Sequence, residues 1–209
     1  TESTANIVIL GPEIHDLNAP AQDLERLKSC GRAHSGHEIS IMDDNAVEVP
    51  CREIGEICVR SDSVMVGYWR DPQNTAKVIR DGWLRTADMA YMDEERYIFI
   101  VGRKNDMIKR GGEKIYPQEI EEVLFDHPAV LEAAVCGVAD PDWGESPRAY
   151  IVVRPGYQVS DKDLLAYCLD RLPTFKCPQD VVFLPELPKT SSGKITRTGL
   201  QQLNVSSSN

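Results

Sequence analysis

Nothing in this chain of 209 residues is spaced like a zinc site or a disulfide framework. Its six cysteines, Cys30, Cys51, Cys58, Cys136, Cys168 and Cys177, contain no C-x-x-C pair. They read as the reduced thiols of an intracellular protein. His34 and His37 have no partners at ligand spacing, which weighs against a metal site there. Long apolar runs are missing too. The longest, near "VLEAAVCGVA", is too short to cross a bilayer, so no transmembrane segment is expected, and no signal peptide is evident. Positive charge is scarce: 23 Lys and Arg stand against 33 Asp and Glu, a net charge of -10. Nucleic acid is therefore not expected as a main partner, because a phosphate backbone demands a basic surface. A local basic site for a nucleotide is compatible with that balance. An opening methionine is also missing, and "TESTANIVIL" enters an apolar run almost at once, as if the sequence began mid-protein.

What remains is ordinary for a soluble protein, with 42% hydrophobic and 27% charged residues. The length suits one large domain or two small ones, either able to bury a core. The first half carries strand signals. "HEISIMDD" and "GEICVRS" alternate, and "RYIFIVGR" is β-branched and aromatic. Turn-rich "DDNAVEVP" and "RDGW" separate them, which predicts antiparallel pairing and a small distorted barrel.

The pattern changes after Arg103. "YPQEIEEVLFDHP" predicts a helix with Pro117 in its first turn, Glu119, Glu121 and Glu122 in its N-terminal half, and Ile120, Val123 and Leu124 on one face. "AVLEAAVCGV" and "RAYIVVRP" read as strands. "SDKDLLAYCLDRL" predicts a second helix, capped by Ser160 with Asp163, its Leu164, Leu165, Cys168 and Leu172 turned inward. "DVVFLPEL" reads as a further strand. The order β-α-β-β-α-β, about a hundred residues long, predicts a self-contained α+β domain. The boundary falls in "GRKNDMIKRGGEK", charged and without hydrophobic period, and the tail "NVSSSN" is expected to be disordered.

"PKTSSGKITR" then presents Lys194 on a glycine-bearing loop. A Walker A loop is excluded, because Pro188 and Ile195 occupy positions that would need a glycine and a Ser or Thr. From the loop alone, Lys194 reads as a solvated surface lysine.

Several stretches recur in a telling order: "GEICVRSDSVMVGYWRDPQNTAKV", "DGWLRTADMAYMDEERYIFIVGRKNDMIKRGGEKIYPQEIEEVL", "VADPDWGESPRAYIVV" and "LPTFKCPQDVVFLPELPKTSSGKITR". In that order and spacing, from about Cys30 to Leu200, the chain resembles the C-terminal part of the adenylate-forming enzymes, and among them the acyl-CoA synthetases. Thr1-Glu2 resembles the end of that family's Tyr-Gly-x-Thr-Glu motif. The resemblance implies an α+β fold in two parts. Residues 1–103 would be the β-rich, antiparallel end of the large adenylating domain, and 104–209 a small mobile C-terminal domain, with a hinge near Asn105.

The implied chemistry has two half-reactions, using a carboxylic acid, ATP with Mg²⁺, and coenzyme A. The acid attacks the α-phosphate of ATP, giving acyl-adenylate and pyrophosphate. The CoA thiol then displaces AMP. The small domain turns between the steps.

On this resemblance Asp88 matches the carboxylate that accepts from both ribose hydroxyls, a plain turn carboxylate being the alternative. The family usually has glycine where this chain has Ala87, which strains the backbone if that position needs positive φ. Arg103 matches a ribose-region arginine, Thr1 belongs to the nucleotide site, and Glu2 matches a Mg²⁺-associated glutamate. Lys194 would bridge the α-phosphate and the incoming carboxylate, carried on a flexible "SSG". Gly111 and Gly112 would flank the pantetheine arm, with a plain turn as the alternative. Trp143 would lie near the CoA nucleotide, or simply pack. Phe175 and Lys176 would stack on its adenine and approach its 3′-phosphate.

The family's Ser/Thr/Gly-rich phosphate loop and most of its acyl pocket have no counterpart here, so the chain alone is expected to be inactive. "GGEKIYP", "WGE" and "GYWRDP" favour a fatty or aryl acid. The alternatives are an enzyme loading a carrier-protein thiol, whose tail more usually reads near "NGKVDR", and a non-catalytic nucleotide- or CoA-binding module. A cytoplasmic location is implied, with peripheral membrane attachment left open, and no oligomeric state is implied.

Overall fold

The structure, a computed structural model, describes residues 1–16 and 18–203. The tail expected to be disordered lies outside the described residues. The chain divides into two compact units, Thr1–Lys104 and Asn105–Asn209.

The first unit runs β1 (Val8–Ile9), α1 (Ala21–Glu25), β2 (Arg32–Ala33), β3 (Glu38–Met42), β4 (Gly55–Arg60), α2 (Pro72–Val78), β5 (Ile79–Arg80), β6 (Trp83–Met92) and β7 (Ile98–Arg103). β1 and β2 form a separate pair. The main sheet is antiparallel, in the order β3-β4-β6, with β5 and β7 sharing the far edge of β6. Ile39, Ile41, Ile57, Val59, Leu84, Ala90, Met92 and Ile98 form its core. The pairing path is open, so the expected barrel is corrected: among the described residues no ladder joins β3 to β5 or β7. β6 and α2 are elements the sequence patterning did not reveal. β6 is interrupted by a bulge that spoils its alternation. α2 has no buried residue and hence no hydrophobic period; Asp71 caps it by accepting from the Asn74 N–H at 3.0 Å.

The second unit runs β8 (Ile108–Arg110), β9 (Glu113–Ile115), α3 (Pro117–Phe125), β10 (Val130–Asp140), β11 (Gly144–Val153), α4 (Asp161–Leu169), β12 (Asp180–Phe183) and α5 (Arg197–Gln202). The charged stretch in which the boundary was expected also holds the β8–β9 hairpin, too short and too charged to show a period. β10 pairs antiparallel with β11, whose other edge takes β12 in parallel and touches β8 at Gly144–Arg110.

Both predicted helices form where expected. Pro117 opens α3, and Ser160 with Asp163 forms a full capping box on α4. Ile120, Leu124, Leu164 and Cys168 bury one face of these helices against Val135, Ala149 and Ile151. The alternate residues Ala134, Cys136, Tyr150 and Val152 point to the opposite face, where Leu187 and Leu200 cover them. The segment bearing Lys194 is thus bracketed by two buried leucines.

Candidate functional site

Where β6 passes β4, Arg85 and Met89 face Cys58 and Glu56, so Thr86, Ala87 and Asp88 bulge out opposite Ile57. The Thr86 hydroxyl donates to the Ile57 carbonyl at 3.0 Å and accepts from the Asp88 N–H at 3.1 Å. Ala87 takes φ 61°, the left-handed conformation anticipated as a strain. Asp88 pairs with Arg103 across β6 and β7, and Arg103 Nε lies 3.0 Å from Asp88 Oδ1. Arg103 Nη2 also donates to the Thr86 carbonyl at 3.2 Å. Burial pushes the Asp88 carboxyl above its ordinary pKa, and Arg103 pulls it back only in part. Among the described residues Arg103 alone bonds the Asp88 carboxylate, which therefore keeps acceptor capacity for a ligand.

Glu56 holds this bulge from beneath, and sequence reasoning missed it. Only 4% exposed, it accepts from the Ala87 N–H at 2.9 Å and pairs with Arg85 at 3.0 Å and Lys104 at 3.1 Å. A glutamate in an alternating strand reads as a solvent-facing residue. β4, however, is buried on both faces from Gly55 to Val59, and only the third dimension reveals that.

Glu2 accepts a 3.1 Å hydrogen bond from the Tyr68 hydroxyl, and its pKa is lowered chiefly by its own backbone N–H. Its charge is among those that push Asp88 upward. Thr1 is exposed. Among the described residues no cluster of three or more metal-ligating side chains exists. One ionised carboxylate nevertheless suits Mg²⁺, which usually takes few protein ligands and completes its shell with substrate phosphates and water.

In the second unit Gly111 and Gly112 form the turn between β8 and β9, with φ 57° and 93°. Gly111 is required sterically as well: a Cβ there would lie 2.7 Å from the Trp143 ring, while one on Gly112 meets nothing. The Gly111 N–H donates to the Trp143 carbonyl at 2.9 Å. Arg110 reaches the Phe175 carbonyl at 2.8 Å, which brings Phe175 to the same end of the unit. Trp143 and Phe175 are 54% and 40% exposed, two aromatic faces open to solvent. Lys176 is not free: its ammonium is 2.7 Å from Glu119 and must exchange that partner to meet a phosphate.

Lys194 lies on a different loop of the same unit. Its loop is closed rather than loose. Lys189 bridges Ile195, the Thr190 N–H donates to the Lys194 carbonyl at 2.7 Å, and the Lys194 N–H donates to Thr190 Oγ1 at 3.1 Å. Gly193 supplies φ 82°. The expected flexible "SSG" is thus a formed turn. Among the described residues no ion pair or hydrogen bond involves the Lys194 ammonium, so the turn presents an exposed, unpaired charge. Asn105, the first residue of the second unit, is exposed in the 3-10 turn Lys104–Asp106. Its φ is not positive in this structure.

This arrangement can hold a vicinal diol on one unit and present a cation and an aromatic-flanked turn on the other. Two family models fit the chain: AMP-binding enzyme over residues 1–69, and AMP-binding enzyme C-terminal domain over 119–194. The 2-succinylbenzoate–CoA ligase of Geobacillus kaustophilus is 37% identical over 203 residues, 97% of this chain and 40% of that protein. A fatty acid–[acyl-carrier-protein] ligase of Streptomyces coeruleorubidus is 38% identical, over 96% of this chain and 38% of its own length. The structure of o-succinylbenzoate CoA synthetase from Bacillus subtilis with its acyl-adenylate intermediate superposes with a TM-score of 0.87 at 37% identity, over 96% of this chain and 39% of that one. The same enzyme with ATP and magnesium gives 0.85. The chain belongs to the adenylate-forming, AMP-binding enzymes. Within them its relatives are acyl- and aryl-acid ligases, and it spans about two fifths of the length of those it matches.

Proposed function

We propose that this chain is the nucleotide-closing and thiol-admitting part of an ATP-dependent acyl-CoA synthetase acting on a fatty or aryl acid. The observation that carries the reading is the Asp88–Arg103 pair, held on a bulge, with unsatisfied acceptor capacity. Asp88 accepts from the ribose hydroxyls, and Arg103 keeps it ionised against burial. Glu2 would hold Mg²⁺, which when bound would offset the charge of the ATP phosphates.

In the first half-reaction the substrate carboxylate oxygen bonds the α-phosphorus, the bond to the pyrophosphate oxygen breaks, and pyrophosphate leaves. The Lys194 ammonium, an exposed point charge on its closed turn, stabilises the charge shared by those oxygens. In the second, the CoA sulfur bonds the acyl carbon and AMP leaves with the former carboxylate oxygen. The Gly111-Gly112 turn passes the pantetheine arm, while Trp143, Phe175 and Lys176 meet the CoA nucleotide. The small domain turns about Asn105 between the steps.

The test is product analysis with the complete enzyme, ATP and a panel of acids. AMP, pyrophosphate and an acyl-CoA thioester are expected, and ADP as product would overturn the reading. The similarity to an acyl-carrier-protein ligase favours a second reading, in which the acceptor is a carrier-protein thiol. Acyl transfer to a carrier protein but not to CoA would select it. The 209-residue chain alone is expected to give no ATP–pyrophosphate exchange with any acid.

A further inference from the structure

Arg197 opens α5, three residues beyond Lys194. Its guanidinium is spent on three partners from separate parts of the second unit. Nε lies 3.0 Å from Asp106, directly after Asn105. Nη1 and Nη2 meet the two carboxylate oxygens of Glu121, on α3, at 2.5 and 3.2 Å. Nη1 also donates to the Val135 carbonyl of β10 at 2.5 Å, while Glu121 accepts from the Val135 N–H at 2.7 Å. The ion pair therefore satisfies both outward polar groups of Val135 on the edge of β10 that no strand covers among the described residues. Arg197 is only 25% exposed and Glu121 19%, so these bonds are largely shielded from water.

Such a fork needs planar geometry with several donors; a lysine would satisfy one arm of it. Burial of Leu187 and Leu200 holds the two ends of the Lys194 segment against the sheet. That contact is apolar and nondirectional. Arg197 adds direction, tying the segment to α3, to β10 and to Asp106, the second residue of the unit.

We propose that Arg197 is a positioning residue that joins the Lys194 loop to Asp106, so that motion at Asn105 is carried to Lys194 without slack. The proposal rests on the reading of Lys194 as the adenylation lysine and Asn105 as the hinge. Its physical core can be tested without catalysis.

Amide hydrogen exchange on the 209-residue chain reads it. In Arg197→Gln the amides of Thr190, Gly193, Thr196 and Leu200 should exchange about tenfold faster or more, with Ala149–Ile151 of β11 unchanged. Unchanged loop exchange, or equal acceleration across the unit, would overturn it. Arg197→Lys, which keeps one ion pair, should fall between Arg197→Gln and wild type, and it carries the test if the glutamine variant does not fold. Asp106→Asn should expose the Arg197 Nε–H to faster exchange and spare the loop. In the complete enzyme, Arg197→Gln should slow acyl-adenylate formation about tenfold and leave thioester formation from supplied acyl-adenylate within about twofold. Equal losses would reject the positioning role. Retention of adenylation by Lys194→Ala would instead reject the underlying reading and leave the exchange result standing.

Discussion

Ala87 occupies the left-handed region at φ 61°, one residue before Asp88, the proposed ribose-binding carboxylate. The conformation is imposed from both sides, by the Glu56 carboxylate on the Ala87 N–H and by the Thr86 hydroxyl on the Asp88 N–H. An L-residue there costs about 1–2 kcal/mol, and glycine loses about 0.4–1 kcal/mol of that advantage through unfolded-state entropy. Ala87→Gly should therefore stabilise the chain by roughly 0.5–1 kcal/mol, read by thermal unfolding. Destabilisation would mean that the bulge is not strained.

Asp88 itself allows a pH test. Its pKa is raised by burial, so at neutral pH its charge weakens the folded state. That penalty fades as pH falls through the raised value, because the folded state takes the proton first. Asp88→Asn should accordingly raise stability near neutrality, with the gain vanishing in acid. Arg103→Met should push the Asp88 carboxyl higher still in a carbon-detected NMR titration. A downward shift would contradict the pairing.

Elements that the sequence announces are those whose signals are local. Pro117, and Ser160 with Asp163, mark the starts of α3 and α4, and the apolar spacing marks their buried faces. β10 and β11 are legible as long apolar runs. β6 is not, since its bulge breaks the period of two that a strand needs. The β8–β9 hairpin is equally silent, with strands of three residues each and mostly charged side chains. The candidate residues were legible through motif order, but their partners were not. Glu56 beneath the bulge, Glu119 on Lys176 and Glu121 on Arg197 are contacts between distant segments, and spacing carries no trace of them.

The hairpin turn gives a prediction at the same scale. Gly111→Ala meets the Trp143 ring as well as an unfavourable φ, whereas Gly112→Ala meets only the φ. We expect the first to cost about 2 kcal/mol and to move the Trp143 indole resonance, and the second to cost about 1 kcal/mol and leave it in place. Equal effects on the indole would deny the Gly111–Trp143 contact.

Across the whole molecule, the residues on either side of Asn105 are each tied into their own unit. Lys104 pairs with Asp44 and Glu56, and Asp106 with Arg197. Asn105 is exposed between them, and among the described residues no hydrogen bond holds its side chain. On the proposed reading, in which the small domain turns about Asn105, these flanking ties would leave Asn105 as the residue to absorb the dihedral change. No helix among the described residues is long and apolar enough to cross a membrane.

The central claim is that Lys194 acts in adenylation alone, as an unpaired charge presented on a closed turn. Measuring the two half-reactions separately in the complete enzyme tests it most directly. With Lys194→Ala, ATP–pyrophosphate exchange should fall several hundredfold, the effect of losing about 3–4 kcal/mol of transition-state stabilisation. Thioester formation from supplied acyl-adenylate and CoA should remain near the wild-type rate. Loss of both half-reactions to the same degree, or of neither, would contradict the account.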